Sequence, residues 1–140
     1  MNEILKQIEN MHNKFQMTSG HIKFTDEEKA FRALAMYEEV SEYMRSKTKE
    51  QELDALVDLI IFAIGTVERQ DMLYIFEEAF NRIMRANCKK TPGSNKKRGS
   101  FKIDLVKPEG WIAPDLSDLF DNEDPQMTMD LNDISCKGEM

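Results

Sequence analysis

The residues best placed to do chemistry in this chain are acids. Glu38, Glu39 and Glu42 fall within YEEVSEY (37–43), and Asp54 and Asp58 within LDALVDL (53–59). On an α-helix, residues three and four apart share a face, one turn from each other. The glutamates therefore line one helix and the aspartates another. Like charges at that spacing repel, and Asp58 interrupts the apolar run LVDLIIFAIG (56–65), where a bare carboxylate is costly to bury. A divalent cation removes both difficulties. Mg²⁺ takes hard oxygen ligands and keeps several waters, which suits sites that also receive phosphate. Two other readings stand beside the metal: a solvated acidic face for the three glutamates, and a core ion pair between Asp58 and Arg32, Arg69 or Arg82. Spacing alone does not separate them.

Four helices must position these groups. Ile4, Leu5, Ile8, Met11 and Phe15 recur at helical spacing and predict a first helix over 3–17. Thr25 or Asp26 is a ready N-cap, with acids in the following turn near the positive end of the dipole. That predicts a second helix over 27–45. A third, over 50–68, is apolar on most sides and suits the middle of a bundle or an oligomer interface. The short connection at 46–49 makes the second and third antiparallel, so the two sets of acids can face each other. ERQDM is a short turn. A fourth helix is expected over 74–88, with Ile75, Phe76, Ala79, Phe80 and Ile83 inward. The expected fold class is all-α, a helical bundle built on an antiparallel metal-binding helix pair and followed by an irregular C-terminal segment.

The texture changes at Thr91. TPGSNKKRGS (91–100) carries every loop signal, and from Lys89 to Lys102 there are six basic residues and no acidic one. Residues 89–110 form a basic loop leading into KPEGW (107–111), which ends in the only tryptophan. Residues 1–120 are expected to form one helical domain. Residues 121–140, with six acids and one lysine, read as a poorly packed acidic tail.

Composition excludes several classes. With 41% apolar residues the chain can form a core, and its net charge of −7 argues against a nonspecific nucleic-acid binder, which needs a broad basic surface. The longest apolar run is too short to span a bilayer, so no membrane partner is expected. Cys88 and Cys136 form no CxxC and no zinc spacing, and read as reduced thiols. The N-terminal stretch lacks the apolar core of a signal peptide, and a cytoplasmic location is expected. No Ser/His/Asp or Cys/His arrangement and no Walker loop is visible, so a covalent nucleophile is not expected.

EEVSE (38–42), a gap, and LDALVDLIIFAIGT (53–66) resemble the MazG-like superfamily of all-α nucleoside triphosphate pyrophosphohydrolases, whose pattern is EExxE, a spacer, then ExxD. HNKF (12–15), FEEAFNRIMRAN (76–87) and DLVKPEGWIAPDL (104–116) are similar, more narrowly, to the short stand-alone MazG-like proteins of bacteriophages. The resemblance covers about His12 to Leu119. It implies cleavage of a nucleoside triphosphate to monophosphate and pyrophosphate with Mg²⁺, or Mn²⁺ in its place. It implies a homo-oligomer, dimer or tetramer, and in a phage setting a role in nucleotide pools within the host cytoplasm. By position, Glu39, Glu42 and Asp58 are implied metal ligands, and Glu38 a ligand or the group that orients or deprotonates the attacking water. The Glu of ExxD should stand at position 55, which is Ala55. Asp54, one turn before Asp58, is the better substitute, and Glu52 the other candidate. A noncatalytic helical protein that binds a nucleotide or a protein partner is the alternative this departure keeps open.

The resemblance also assigns Asn87, Lys90 and Lys107 to phosphate, and places His12 and Phe15 near the base. Against that, cations at a helix C-terminus need no ligand to explain them, Phe15 suits plain core packing, and Trp111 suits a structural anchor. Lys96, Lys97 and Arg98 read as a flexible basic loop that steers an anionic substrate.

Overall fold

In the computed structural model, residues 2–121 are described. They are predominantly helical, with α1 (Glu3–Lys14), α2 (Asp26–Arg45), α3 (Lys49–Arg69) and α4 (Leu73–Cys88), a two-residue ladder of β1 (Thr91–Pro92) and β2 (Leu105–Val106), and 3-10 turns at Lys96–Arg98 and Ser117–Phe120. The helices start where side-chain caps begin them. Thr25 accepts from the backbone N–H of Glu28, and Thr48 from that of Gln51, each satisfying a donor the first turn leaves unpaired. The chain divides into two compact units, Met1–Tyr74 and Ile75–Met140.

In the first unit α3 is central and packs on both α1 and α2. Residues 46–48 are all that separates α2 from α3. At the far end, Arg69 near the close of α3 hydrogen-bonds Glu28 in the first turn of α2, which fixes the pair as antiparallel. On α1 the buried residues are Leu5, Ile8 and His12, while Ile4, Met11 and Phe15 are exposed. Helical period was legible, and the buried stripe takes in His12 alongside Leu5 and Ile8. Gly65 on α3 makes that possible. A Cβ there would lie 3.3 Å from His12 Nε2 and 3.5 Å from Arg32 Nη1, so the absent side chain lets three helices meet.

In the second unit, α4 buries Ile75, Asn81 and Ala86, while Phe80 and Ile83 are largely exposed. The segment expected to be a plain loop is closed at its base, since Thr91 pairs with Val106 and Pro92 with Leu105 in an antiparallel ladder. Gly93 lies against Val106, whose Cγ2 would be 2.9 Å from any Cβ at that position. The 3-10 turn at the loop's tip includes Arg98, which pairs with Asp104 at 3.1 Å. Of the three cations expected to steer an anionic substrate, Arg98 is thus paired with an acid. Arg82 ties the end of the described chain to α4 through Glu78 and both oxygens of Asp118, and Leu119 beside it is buried.

Cys88 is disulfide-bonded, which corrects its reading as a reduced thiol; nothing in two isolated, widely separated cysteines signals that either is paired. Cys136 and nearly all of the acidic tail lie outside the described residues.

Candidate functional site

The seam between α2 and α3 runs through Glu28, Arg32, Ala35, Glu39 and Glu42 on one side, at alternating steps of four and three. On the other side run Asp54, Ala55, Asp58, Gly65 and Arg69. In most helical hairpins such a stripe is apolar. Here it is charged, and its two halves differ.

The half at the start of α2 is neutralised. Glu28 accepts from Arg69 Nε at 2.7 Å and Nη2 at 2.8 Å, and from Arg32 Nε at 3.1 Å. Arg69 Nη1 donates to the backbone carbonyls of Met17 and Ile22. Arg32 and Arg69 are both buried. The hydrogen bond from Arg69, before any other influence, holds the Glu28 carboxyl below the usual glutamate range, and Glu28 in turn raises Arg69.

The half toward the connection has no such compensation. Among the described residues no ion pair reaches Glu38, Glu39, Glu42, Asp54 or Asp58. The core ion pair considered for Asp58 is not formed: Arg32 and Arg69 are engaged with Glu28, and Arg82 with Glu78 and Asp118. Glu39 is half-buried, and its Oε2 is closed off from solvent with no hydrogen-bond partner. Burial first, and then the charges of Glu42, Asp58, Asp54 and Glu38, push the Glu39 carboxyl above the ordinary glutamate value. The other four acids expected at the site thus act on the fifth. Glu52 is not among the groups that shift Glu39, whereas Asp54 is. Ala55, where ExxD would carry its glutamate, is 2% exposed and packs as a core residue.

Among the described residues, no three His, Cys, Asp or Glu side chains are drawn into a preformed ligand set. The donors nonetheless suit a hard cation: all are carboxylate oxygens, they mutually repel, and one buried oxygen has no partner. Glu42 and Asp54 also line an open concavity of about 270 Å³ with Arg45, Ser46 and Gln51. Sequence reasoning gave Arg45 no role. It lies one turn past Glu42, so the helical spacing that grouped the acids would have included it. Its Nε donates to the backbone carbonyl of Ser41.

The residues assigned to phosphate, Asn87, Lys90 and Lys107, all belong to the second unit. Lys90 and Lys107 are together there: their Nζ atoms lie 5.2 and 5.0 Å from the centroid of the Trp111 ring. Trp111 is fixed by its Nε1, which donates to the carbonyl of Ala86 at 2.7 Å, as an anchor should be. Asn87 is half-buried at the end of α4, with its carbonyl accepting from the backbone N–H of Lys90.

The pair assigned to the base does not form one exposed surface. His12 is 2% exposed and bonds Glu68 through Nδ1, while Glu68 also accepts from the backbone of Ser19. Its environment is that of an interior tie between α1 and α3. Phe15, expected in the core or near a base, is 62% exposed, because it follows the last helical residue of α1 and caps its end.

Compared with protein-family models, curated proteins and solved structures, the chain matches none. Among the described residues no helix is long and apolar enough to cross a membrane.

Proposed function

We propose that this chain is a Mg²⁺-dependent nucleotide pyrophosphohydrolase that converts a (d)NTP to the (d)NMP and pyrophosphate, and that in a phage setting it adjusts the host's nucleotide pool. The observation that carries this reading is the buried, partnerless Oε2 of Glu39 at the focus of four other carboxylates. A cluster of that kind costs stability unless something cationic joins it. Glu39, Glu42, Asp54 and Asp58 would hold the metal, with Mn²⁺ an acceptable substitute. When bound, a divalent ion lowers the pKa of water and neutralises phosphate charge.

The chain's own groups have distinct tasks. Glu38, exposed beside Glu39, accepts the proton of the attacking water. A new O–P bond forms at one phosphorus as the bridging P–O bond between the α and β phosphates breaks. The resemblance assigns Asn87, Lys90 and Lys107, all of the second unit, to the phosphates, and holding a phosphate chain in line lowers the entropy cost of attack.

The active form is a homo-oligomer, dimer or tetramer. Phe31, Leu34, Tyr37 and Met44 on α2 and Leu53 and Ile60 on α3 are each half or more exposed, an unusual concentration of apolar surface for two packed helices. A noncatalytic nucleotide- or protein-binding role is the competing reading, favoured by Ala55 in place of the expected glutamate. Pyrophosphate release from a panel of dNTPs and NTPs separates the two. The enzyme reading requires release that depends on Mg²⁺ or Mn²⁺, and no release from any member of the panel would overturn it.

A further inference from the structure

Near its connection the α2–α3 hairpin carries donors as well as acids. On α2, steps of three lead from Glu39 through Glu42 to Arg45. On α3, a step of four and one of three lead from Asp58 through Asp54 to Gln51. Each set therefore keeps to one helix face. The last two members of each set, with Ser46, line the open concavity of about 270 Å³. Each helix thus brings to it one carboxylate and, one turn closer to the connection, one donor group. Little of that donor capacity is spent. Arg45 Nε donates to the carbonyl of Ser41 at 3.3 Å, but a guanidinium has further N–H groups, and its two terminal nitrogens have no protein partner among the described residues. Arg32 and Arg69, the other arginines of the first unit, are committed to Glu28. Arg45 joins no ion pair among the described residues, although Glu42 stands one turn away. Gln51 is oriented by its Oε1, which accepts from the backbone N–H of Lys47 at 3.0 Å, and its amide nitrogen is left over. Ser46 differs, because its hydroxyl is spent on the carbonyl of Glu42. All five lining residues belong to the first unit.

We infer that Arg45 and Gln51 are contact residues for a diphosphate group that shares the metal ion: they donate to its oxygens, while Glu42 and Asp54 hold the cation. This role rests on the metal site of the proposed function and goes beyond it, because the phosphate groups named there belong to the second unit. Carboxylates alone repel a polyphosphate. A guanidinium beside them offsets that repulsion, and its planar fork matches the paired oxygens of a phosphate. The concavity is smaller than the roughly 300–1,000 Å³ that encloses a drug-sized ligand. It suits a diphosphate better than a whole nucleotide, and so fits the portion that leaves as pyrophosphate. Lys47 carries the same charge two residues on, but lies outside the lining of the concavity, so it serves as a comparison for charge without contact.

The test is a calorimetric titration of the full chain with methylenediphosphonate, whose P–C–P bridge resists hydrolysis, at saturating Mg²⁺ and fixed ionic strength. Mg²⁺ alone is titrated in parallel. Wild type should bind the diphosphonate saturably. Arg45→Met should weaken that binding about tenfold, as loss of a hydrogen bond to a charged group does, and Arg45→Lys should restore part of it. Gln51→Glu keeps the acceptor for Lys47 and replaces the donor with a negative charge, so it should weaken binding as well. Affinity for Mg²⁺ alone should not fall in Arg45→Met, whereas an arginine that merely supports the fold would lower both. Lys47→Met should change binding less than about twofold, as a screened surface charge does. Absence of saturation in the wild type, or equal losses in Arg45→Met and Lys47→Met, overturns the role given to Arg45. Failure of the enzyme reading looks different: the diphosphonate would bind through Arg45 while no nucleotide is hydrolysed. Hydrolysis with KM and kcat unaltered in Arg45→Met would remove the role of Arg45 alone.

Discussion

Arg69 grips Glu28 with two nearly parallel hydrogen bonds, Nε to Oε1 at 2.7 Å and Nη2 to Oε2 at 2.8 Å, and so joins the end of α3 to the beginning of α2. Fork-on-carboxylate geometry of this kind is stronger than a single contact and specific to arginine. Glu28→Gln would leave Arg69, and Arg32 beside it, without a counter-charge in a buried setting. A loss of about 3 kcal/mol is expected from breaking such a pair, measured by urea unfolding at pH 7. Arg69→Lys should cost part of the same amount.

The same pair sets an acid limit. Glu28 is held below its ordinary value by Arg69, so its unfolded form binds protons more readily. Its contribution is fully present above the unfolded glutamate value and is lost as pH falls through the lower folded one. Asp118, held low by Arg82, adds to the same trend. Unfolding measured from pH 7 to pH 3 should show stability falling with acid, and Glu28→Gln should flatten part of that slope.

For the acids near the connection the sign reverses. Glu39→Gln removes one charge from a set that repels itself, so without metal the variant should melt slightly higher than wild type. Wild type should gain thermal stability on adding Mg²⁺, and Glu39→Gln should gain much less. Turnover in Glu39→Gln, Glu42→Gln and Asp58→Asn should fall by about 100-fold or more, the upper end of what even outer partners of a metal cost. Full activity in Asp58→Asn would contradict the site.

Asp54 and Glu52 can be told apart directly. Asp54 contributes to the field at Glu39 and Glu52 does not. Asp54→Ala should therefore impair pyrophosphate release about as severely as Asp58→Ala, with Glu52→Ala close to wild type. The opposite ranking would assign Glu52 to the metal.

Gly65 offers a test of packing independent of any activity. Glycine to alanine within a helix ordinarily gains about 1 kcal/mol. At Gly65 the new methyl would meet His12, which Glu68 holds in place and which has little room to retreat. Gly65→Ala should show no such gain in chemical denaturation, and Gly65→Val a clear loss.

Much of this was legible in the sequence. The helices follow from apolar period and from Thr25, and the convergence of five acids follows from steps of three and four along two antiparallel helices. What escaped depended on partners far away in the chain. His12 is an interior residue only because position 65 has no side chain, and no local pattern on α1 reports that. The ladder closing the basic loop joins Thr91 to Val106 across an excursion that reads as breaker-rich coil. That Ala55 stands where a glutamate was expected was visible as a departure; that the charge of Asp54 bears on Glu39 required the fold.

The α2–α3 hairpin is shut at both ends, by three residues of chain at 46–48 and by Glu28 with Arg69 at the other extremity. The mutual repulsion of the acids between these closures cannot be relieved by the helices swinging apart, as it could in a hairpin with a free end. It has to be met locally, by a proton, by ordered water or by a cation. A closed frame of this kind turns an electrostatic penalty into a standing demand for compensation, and keeps the demand at one place along the helices.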